Sequence, residues 1–282
     1  MSLPNFLGIG AMRSGTTWLD RILRTHPQIY LPERRKEIQF FSANFERGFC
    51  WYEKFFPPAP EAGKHKWIGE ITPGYLYNED TPARIHSFLP SCRFIGILRN
   101  PADRAYSHYG FSVRNVNERR PFHEYLRYYP GIFARGLYGE QVKRYLKYFK
   151  KENFLFLIFE ESTAKPKAAI KKIADFFNLN SEDFQVDERV REKVNSSYLP
   201  RFGRLYFLTR ILSKSLRKMD FDWLVNLGKT LEVQRFSGFK GTLPPLEHTM
   251  RSMLIEKYEP DIALLEDLLD QDLVIWRRGK VV

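Results

Sequence analysis

Short, unbroken apolar runs punctuate the chain at five places. They are Asn5–Gly10, Lys66–Ile71, Arg93–Leu98, Phe154–Phe159 and a shorter piece near Ile29–Leu31. In Phe94-Ile95-Gly96-Ile97-Leu98 and Phe154-Leu155-Phe156-Leu157-Ile158-Phe159 no polar residue interrupts the run. A strand that does not alternate is covered on both faces, as in a parallel sheet clad by helices. Stretches with helical character separate the runs: Thr17–Thr25, Thr81–Phe88, Pro101–Val113, Gly139–Phe149 and Lys165–Phe177. A longer one, Leu246–Leu269, precedes the ending Asp272-Leu273-Val274-Ile275-Trp276. This alternation predicts an α/β fold, a central parallel sheet flanked by helices. Asn100-Pro101-Ala102-Asp103 marks one helix start: a capping side chain, proline at the first position and an acid in the first turn.

Residues 201–240 depart from the pattern. Leu205, Leu208, Leu212 and Leu216, then Leu224, Leu227 and Leu231, recur at helical spacing, with Arg204, Arg210, Lys214, Arg217 and Lys218 between them. Two readings follow: a pair of helices covering an edge of the core, or a basic amphipathic surface for a lipid-linked or membrane-borne partner.

The chain of 282 residues is long enough for one large α/β domain or two small ones, and it shows no internal repeat or low-complexity linker. One domain spanning residues 1–282 is the expectation. A hydrophobic content of 43%, with 16% aromatic residues, excludes global disorder. The formal charge of +12 calls for an anionic ligand, acceptor or surface. No helix-turn-helix, zinc-finger or aromatic RNA-binding signature accompanies that charge, which argues against nucleic acid. Cys50 and Cys92 have no metal-ligand spacing and read as small buried residues in a reducing compartment. The N-terminus lacks the features of a secretory leader, and no apolar stretch approaches the ~20 residues that span a bilayer. A cytoplasmic protein is expected. Nothing in the pattern fixes an oligomeric state.

The chemistry begins at Gly10-Ala11-Met12-Arg13-Ser14-Gly15-Thr16-Thr17, between the first apolar run and the first helix. It has the outline of a phosphate-cradling loop, whose free amides at the helix start face an anion. Thr16 stands where a triphosphatase loop carries its lysine, and a cation appears earlier, as Arg13. The loop is therefore suited to a phosphorylated nucleotide but not to Mg-assisted triphosphate chemistry. Arg99 emerges at the carboxyl end of the Arg93–Leu98 run, where ligands of open α/β sheets bind. Ser107 follows two helical turns later, and the pair suits a second phosphate. In Lys36-Glu37-Ile38-Gln39-Phe40-Phe41 the apolar residues anchor the segment and leave Glu37 free to act as a base.

Together these three segments resemble the sulfotransferases that use 3′-phosphoadenylyl sulfate, above all the heparan sulfate sulfotransferase domains and their bacterial relatives. The resemblance rests on Arg13-Ser14-Gly15-Thr16-Thr17, on Arg99 with Asn100-Pro101-Ala102-Asp103-Arg104-Ala105-Tyr106-Ser107, and on Glu37-Ile38-Gln39-Phe40-Phe41. It implies a sulfotransferase fold topologically related to nucleotide kinases, with 3′-phosphoadenylyl sulfate as donor and no metal. It also implies that Glu37 is the base and Arg13 the phosphosulfate cation. The implied donor site comprises Arg13, Ser14, Gly15, Thr16, Thr17 and Trp18 at one end and Arg99 and Ser107 at the other. Lys240 and Gly241, in Phe239-Lys240-Gly241-Thr242-Leu243-Pro244-Pro245, match a loop that closes over the nucleotide. The implied acceptor is a glycan, a lipid-linked molecule or another small molecule. Gly69-Glu70-Ile71-Thr72-Pro73 departs from the heparan pattern, with Ile71 in place of a lysine; this leaves Glu70 near the acceptor. Two rival functions are a nucleotide or small-molecule kinase with a degenerate loop, and a non-catalytic nucleotide-binding protein.

Overall fold

The computed structural model describes residues 3–58, 63–185, 198–200, 211–213, 215–230 and 239–278. Its central sheet has five strands: β1 (Phe6–Gly10), β2 (Ile29–Tyr30), β3 (Trp67–Ile71), β4 (Arg93–Leu98) and β5 (Phe154–Ile158). They lie in the order β2-β3-β1-β4-β5, with every neighbouring pair parallel. These are the five apolar runs of the sequence, each within a residue of its predicted bounds.

The pleat explains why the runs do not alternate. Leu7, Ile9, Phe94, Leu98, Phe156 and Ile158 enter one core cluster, shared with the helices Thr81–Phe88, Pro101–Val116, Tyr138–Leu146 and His248–Leu269. Phe6, Ile95, Ile97 and Leu157 enter a second cluster, with the helices Thr16–Arg24 and Pro166–Phe177. Successive side chains point to opposite faces, and both faces are buried.

Several elements lie outside the sequence expectation. Phe49–Glu53, Phe122–Tyr128, Pro130–Ala134 and Phe159–Ala164 form helices too short to leave a period in the sequence. A second sheet pairs β6 (Tyr198–Pro200) antiparallel to β7 (Phe239–Thr242). Within 201–240, Asp222–Thr230 is a helix. Val225 is buried, as an edge-covering helix requires, whereas Leu212 is exposed. Leu205, Leu208, Leu231, Arg204, Arg210 and Lys214 lie outside the described residues. Among the described residues no helix is long and apolar enough to cross a membrane.

β1 and β4 are adjacent, so the loops leaving their carboxyl ends are neighbours. The first carries Arg13 and the second Arg99.

Candidate active site

The chain leaves β1 at Gly10 and enters the Thr16–Arg24 helix through Ala11–Gly15. Gly15 has φ 102, and a Cβ there would meet the Phe159 ring at 2.6 Å. Conformation and space both demand glycine. The amides of Trp18 and Leu19 donate to the Gly15 carbonyl at 2.9 and 3.1 Å. Among the described residues, the amides of Gly15, Thr16 and Thr17 meet no backbone acceptor. This is the anion-facing start of a helix. Arg13 projects from the same loop with its guanidinium 5.0 Å over the Phe111 ring. Burial, then the charges of Arg114, Arg99 and Arg104, pulls its pKa down to about 10, while Glu37 acts in the opposite sense.

At the end of β4, the Asn100 side chain accepts from the amides of Ala102 and Asp103 at 3.0 and 3.2 Å, the cap read from the sequence. Its Nδ2 also donates to the Trp276 carbonyl at 2.8 Å, pinning the turn to the last helical segment. The Arg99 guanidinium lies 5.0 Å over Phe159, the ring that also closes on Gly15. Tyr138 donates to the Arg99 carbonyl at 3.1 Å and stands 3.5 Å from the Ser14 hydroxyl. One phenol and one phenyl ring thus tie the two loops together. The charge of Arg99 is close enough to Arg13 to lower the Arg13 pKa. Among the described residues neither forms an ion pair with a carboxylate, and the Nε of each is buried without a partner. Cations gathered in a partly buried site with no carboxylate bonded to them are relieved when an anion arrives.

The Pro101–Val116 helix adds to this cluster. Arg104, Ser107, His108, Phe111 and Arg114 recur at three- and four-residue intervals and share one helix face. Ser107 is half-buried. His108 stands within reach of the charges of Arg104, Arg135 and Arg13. Burial, then Arg104, Arg135 and Arg13, drives the His108 pKa down to about 3. The imidazole is therefore neutral beside the arginines.

The third segment meets the start of the Thr16–Arg24 helix through Lys36. Ile38, Phe40 and Phe41 are buried, as expected, and Glu37 is half-buried where its charge reaches Arg13. Lys36 donates from Nζ to the Thr17 hydroxyl at 3.0 Å. Burial lowers the Lys36 pKa, opposed by Asp20 and Glu37. Beneath the segment lies the fully buried Glu70, which accepts from Thr72 Oγ1 and Tyr75 Oη at 2.6 Å each and from Tyr52 Oη at 3.3 Å. Thr72 Oγ1 in turn accepts from the Gln39 amide at 3.2 Å, and Tyr75 Oη from the Phe41 amide at 3.3 Å. Glu70 therefore holds the Glu37 segment from below.

Burial raises the Glu70 pKa from 4.5 to about 7. A carboxyl that is harder to ionise when folded stabilises the fold on the acid side, and this contribution is lost as pH rises from the ordinary value through about 7. Thermal unfolding from pH 4 to 8 should show this decline in the wild type and a flatter profile in Glu70→Gln. Equal slopes in both proteins would assign the pH dependence to other groups.

The sequence profile of the sulfotransferase domain family matches residues 3–203, which include all three segments of the site. The chain belongs to the sulfotransferase family. Mouse bifunctional heparan sulfate N-deacetylase/N-sulfotransferase 3 is 26% identical over 301 residues, covering 99% of this chain and 32% of its own length. Membrane-associated sulfotransferase kil1 of Dictyostelium discoideum is 41% identical over 114 residues, 40% of this chain and 24% of that protein. The chain spans a third or less of the length of these two curated relatives. The crystal structure of a sulfotransferase from Alicyclobacillus acidocaldarius matches with a TM-score of 0.70 at 25% identity, over 99% of this chain and 100% of that one.

The remaining residues expected in the sulfotransferase donor site divide by position. Thr16 is buried in the loop, and Thr17 holds Lys36. Trp18 turns its side chain into the core beneath the loop. Lys240 and Gly241 lie in β7, where Gly241 pairs with Leu199. Tyr106, next to Ser107, donates to the Pro244 carbonyl at 2.6 Å and so draws the exit of β7 to the Ser107 helix. His65 lies away from these loops, with Nδ1 3.1 Å from the Pro27 carbonyl. Tyr75 and Tyr138 are buried, and Tyr77 stacks beneath Arg135 at 4.4 Å. Cys92 is buried as expected, but Cys50 is exposed, a correction to the sequence reading. It sits in a short surface helix that leaves no recognisable period.

Sequence reasoning overlooked the roles of Lys36 and Phe159, the part Tyr138 plays in tying the two loops together, and the side chains of Arg104, His108 and Arg114. The spacing of the last three along one helix face was the available signal. Lys36 had none, because nothing local indicates which way it points.

Proposed function

We propose that this chain transfers the sulfuryl group of 3′-phosphoadenylyl sulfate to a hydroxyl or amine of a carbohydrate, lipid-linked or other small acceptor. The observation that carries this reading is the pair of arginine sockets at the ends of adjacent strands, joined by Tyr138 and Phe159, with Glu37 facing the first. Arginines gathered around one site fit a donor that carries phosphosulfate at its 5′ end and a fixed phosphate at its 3′ position.

In this reading the donor supplies an activated sulfuryl group, and the protein supplies position and charge. Glu37 takes the acceptor proton. Arg13, Lys36, the free amides of Gly15 to Thr17 and the hydroxyls of Thr16 and Thr17 hold the charge that grows on the phosphosulfate end. Arg99 and Ser107 hold the 3′-phosphate and orient the reacting end through remote binding. Lys240 and Gly241 close over the nucleotide from β7.

A kinase would need the loop lysine that Thr16 replaces. Alignment along nearly the whole chain with a heparan N-sulfotransferase supports a glycan acceptor in class. The buried Ile71, at the place where heparan enzymes are expected to carry a lysine, argues against an identical acceptor pocket. We assign residues 1–282 to one sulfotransferase domain. Two unpaired thiols are in keeping with a cytoplasmic site of action.

Calorimetry with 3′-phosphoadenosine 5′-phosphate and with AMP tests the donor assignment. Hydrogen bonds to a charged group contribute ~1.5–3 kcal/mol, so the bisphosphate should bind at least ~10-fold more tightly than AMP. Arg99→Ala or Ser107→Ala should shrink that preference. Equal binding of both nucleotides by the wild type would remove the assignment.

A further inference from the structure

Residues 219–223 invert the ordinary distribution of charge and apolar surface. Asp222 is 2% exposed and bonds through its carboxylate to Arg35 Nε and Nη2 at 2.9 and 2.8 Å and to Arg34 Nε at 3.3 Å. Asp220 turns inward to Arg47, to Arg35 and to Trp51 Nε1. The alternate residues point outward: Met219 is 66% exposed, Phe221 42% and Trp223 63%. Ile211 and Leu212 are exposed on the preceding turn. Carboxylates are normally outside and large apolar side chains inside. Single exposed apolar residues carry no meaning, but five within thirteen consecutive positions concentrate apolar surface on one segment, referred to below as the patch.

The inversion is fixed in place. Asp220 adopts the left-handed conformation, φ 61, that reverses the chain. Arg35 Nη2 also donates to the Arg217 carbonyl at 2.7 Å, and Asn226 Nδ2 to the Arg34 carbonyl at 3.2 Å. Arg34 and Arg35 immediately precede Lys36 and Glu37, so the patch is joined rigidly to the candidate active-site segment.

The charge around the patch decides what it meets. Both aspartates of 211–223 are engaged by arginines, while Lys218 is exposed. In sequence Lys214, Arg217 and Lys218 fall within the same stretch. Exposed apolar side chains beside an exposed lysine suit an anionic lipid interface, where the rings enter the headgroup boundary and Lys218 meets phosphate. We propose that residues 211–213 and 215–223 dock the protein on an anionic membrane surface and hold the Glu37 segment toward acceptors presented there. The docking does not depend on the identity of the donor, so its test and the calorimetric one fail separately.

Co-sedimentation with vesicles of phosphatidylcholine alone, and of phosphatidylcholine mixed with phosphatidylglycerol, tests this. The full chain should bind the mixed vesicles, less so as salt rises. The triple substitution Met219→Ser, Phe221→Ser and Trp223→Ser should weaken binding by ~100-fold, since it removes three anchoring side chains. Unchanged circular dichroism and unchanged affinity for 3′-phosphoadenosine 5′-phosphate would confirm that this variant folds. Should it not fold, quenching of tryptophan fluorescence by brominated phosphatidylglycerol gives an independent reading, with a fall in quenching expected in Trp223→Phe. Equal binding to both vesicle types, quenching unchanged by Trp223→Phe, or a concentration-dependent dimer that Trp223→Ser dissolves would each overturn the proposal.

Discussion

Replacing Glu37 by glutamine should leave the affinity for 3′-phosphoadenosine 5′-phosphate within a few-fold of wild type and lower turnover by ~100-fold or more. Glutamine keeps the size of the side chain and leaves the apolar anchors Ile38, Phe40 and Phe41 in the core. It removes the ability to accept a proton from the attacking hydroxyl or amine, together with the charge that Glu37 sets near Arg13 and Lys36. Glu70, the other carboxylate of this region, cannot substitute. It is fully buried and already accepts from Thr72, Tyr75 and Tyr52. Its own replacement should act through the position of the Glu37 segment. Single-turnover rates measured beside nucleotide affinity separate the two effects. Wild-type turnover in Glu37→Gln would mean that another group takes the proton.

Replacing Arg13 by alanine should reduce turnover by ~10²- to 10³-fold, the usual cost of losing one preorganised charge stabiliser. Its guanidinium is the cation of the first loop and stands among like charges, so its favourable partner is an incoming anion. Arg13→Lys should recover part of the rate, because a point charge replaces the fork without its two parallel bonds. Lys36→Met should cost less, ~10-fold, since Arg13 and the loop amides remain. Lys36 and Arg13 approach the same loop, so the double variant should lose less than the product of the single losses. Both cations give up their protons more readily than usual. Activity needs them charged and should fall as pH rises through about 10. Full activity in Arg13→Ala would remove the first socket from the account.

The sheet was legible because strands buried on both faces leave an unmistakable run of apolar residues, and Phe94–Leu98 and Phe154–Ile158 are such runs. The Asn100 cap was legible because capping is local: the side chain that caps and the amides it accepts from are neighbours in sequence. The convergence of Arg13 and Arg99 followed from topology, since the two loops leave adjacent parallel strands. The support beneath the site was not legible. Glu70 reaches the Gln39 and Phe41 amides through Thr72 and Tyr75, a chain of contacts across thirty residues of sequence that no spacing rule encodes. The leucine spacing over 205–231 pointed to an edge-covering pair of helices or a basic amphipathic surface, but not to the charges that set the 219–223 turn. The informative residues there are Asp220 and the buried Asp222, whose inward placement depends on Arg34, Arg35 and Arg47 from a distant segment.

A crystal structure of the protein with 3′-phosphoadenosine 5′-phosphate tests the central claim most directly. The account predicts one nucleotide bridging both loops, its 5′-phosphate on the amides of Gly15 to Thr17 beside Arg13 and its 3′-phosphate on Arg99 and Ser107. A nucleotide bound elsewhere, or one whose 3′-phosphate faces solvent while Arg99 stays uncontacted, would contradict it.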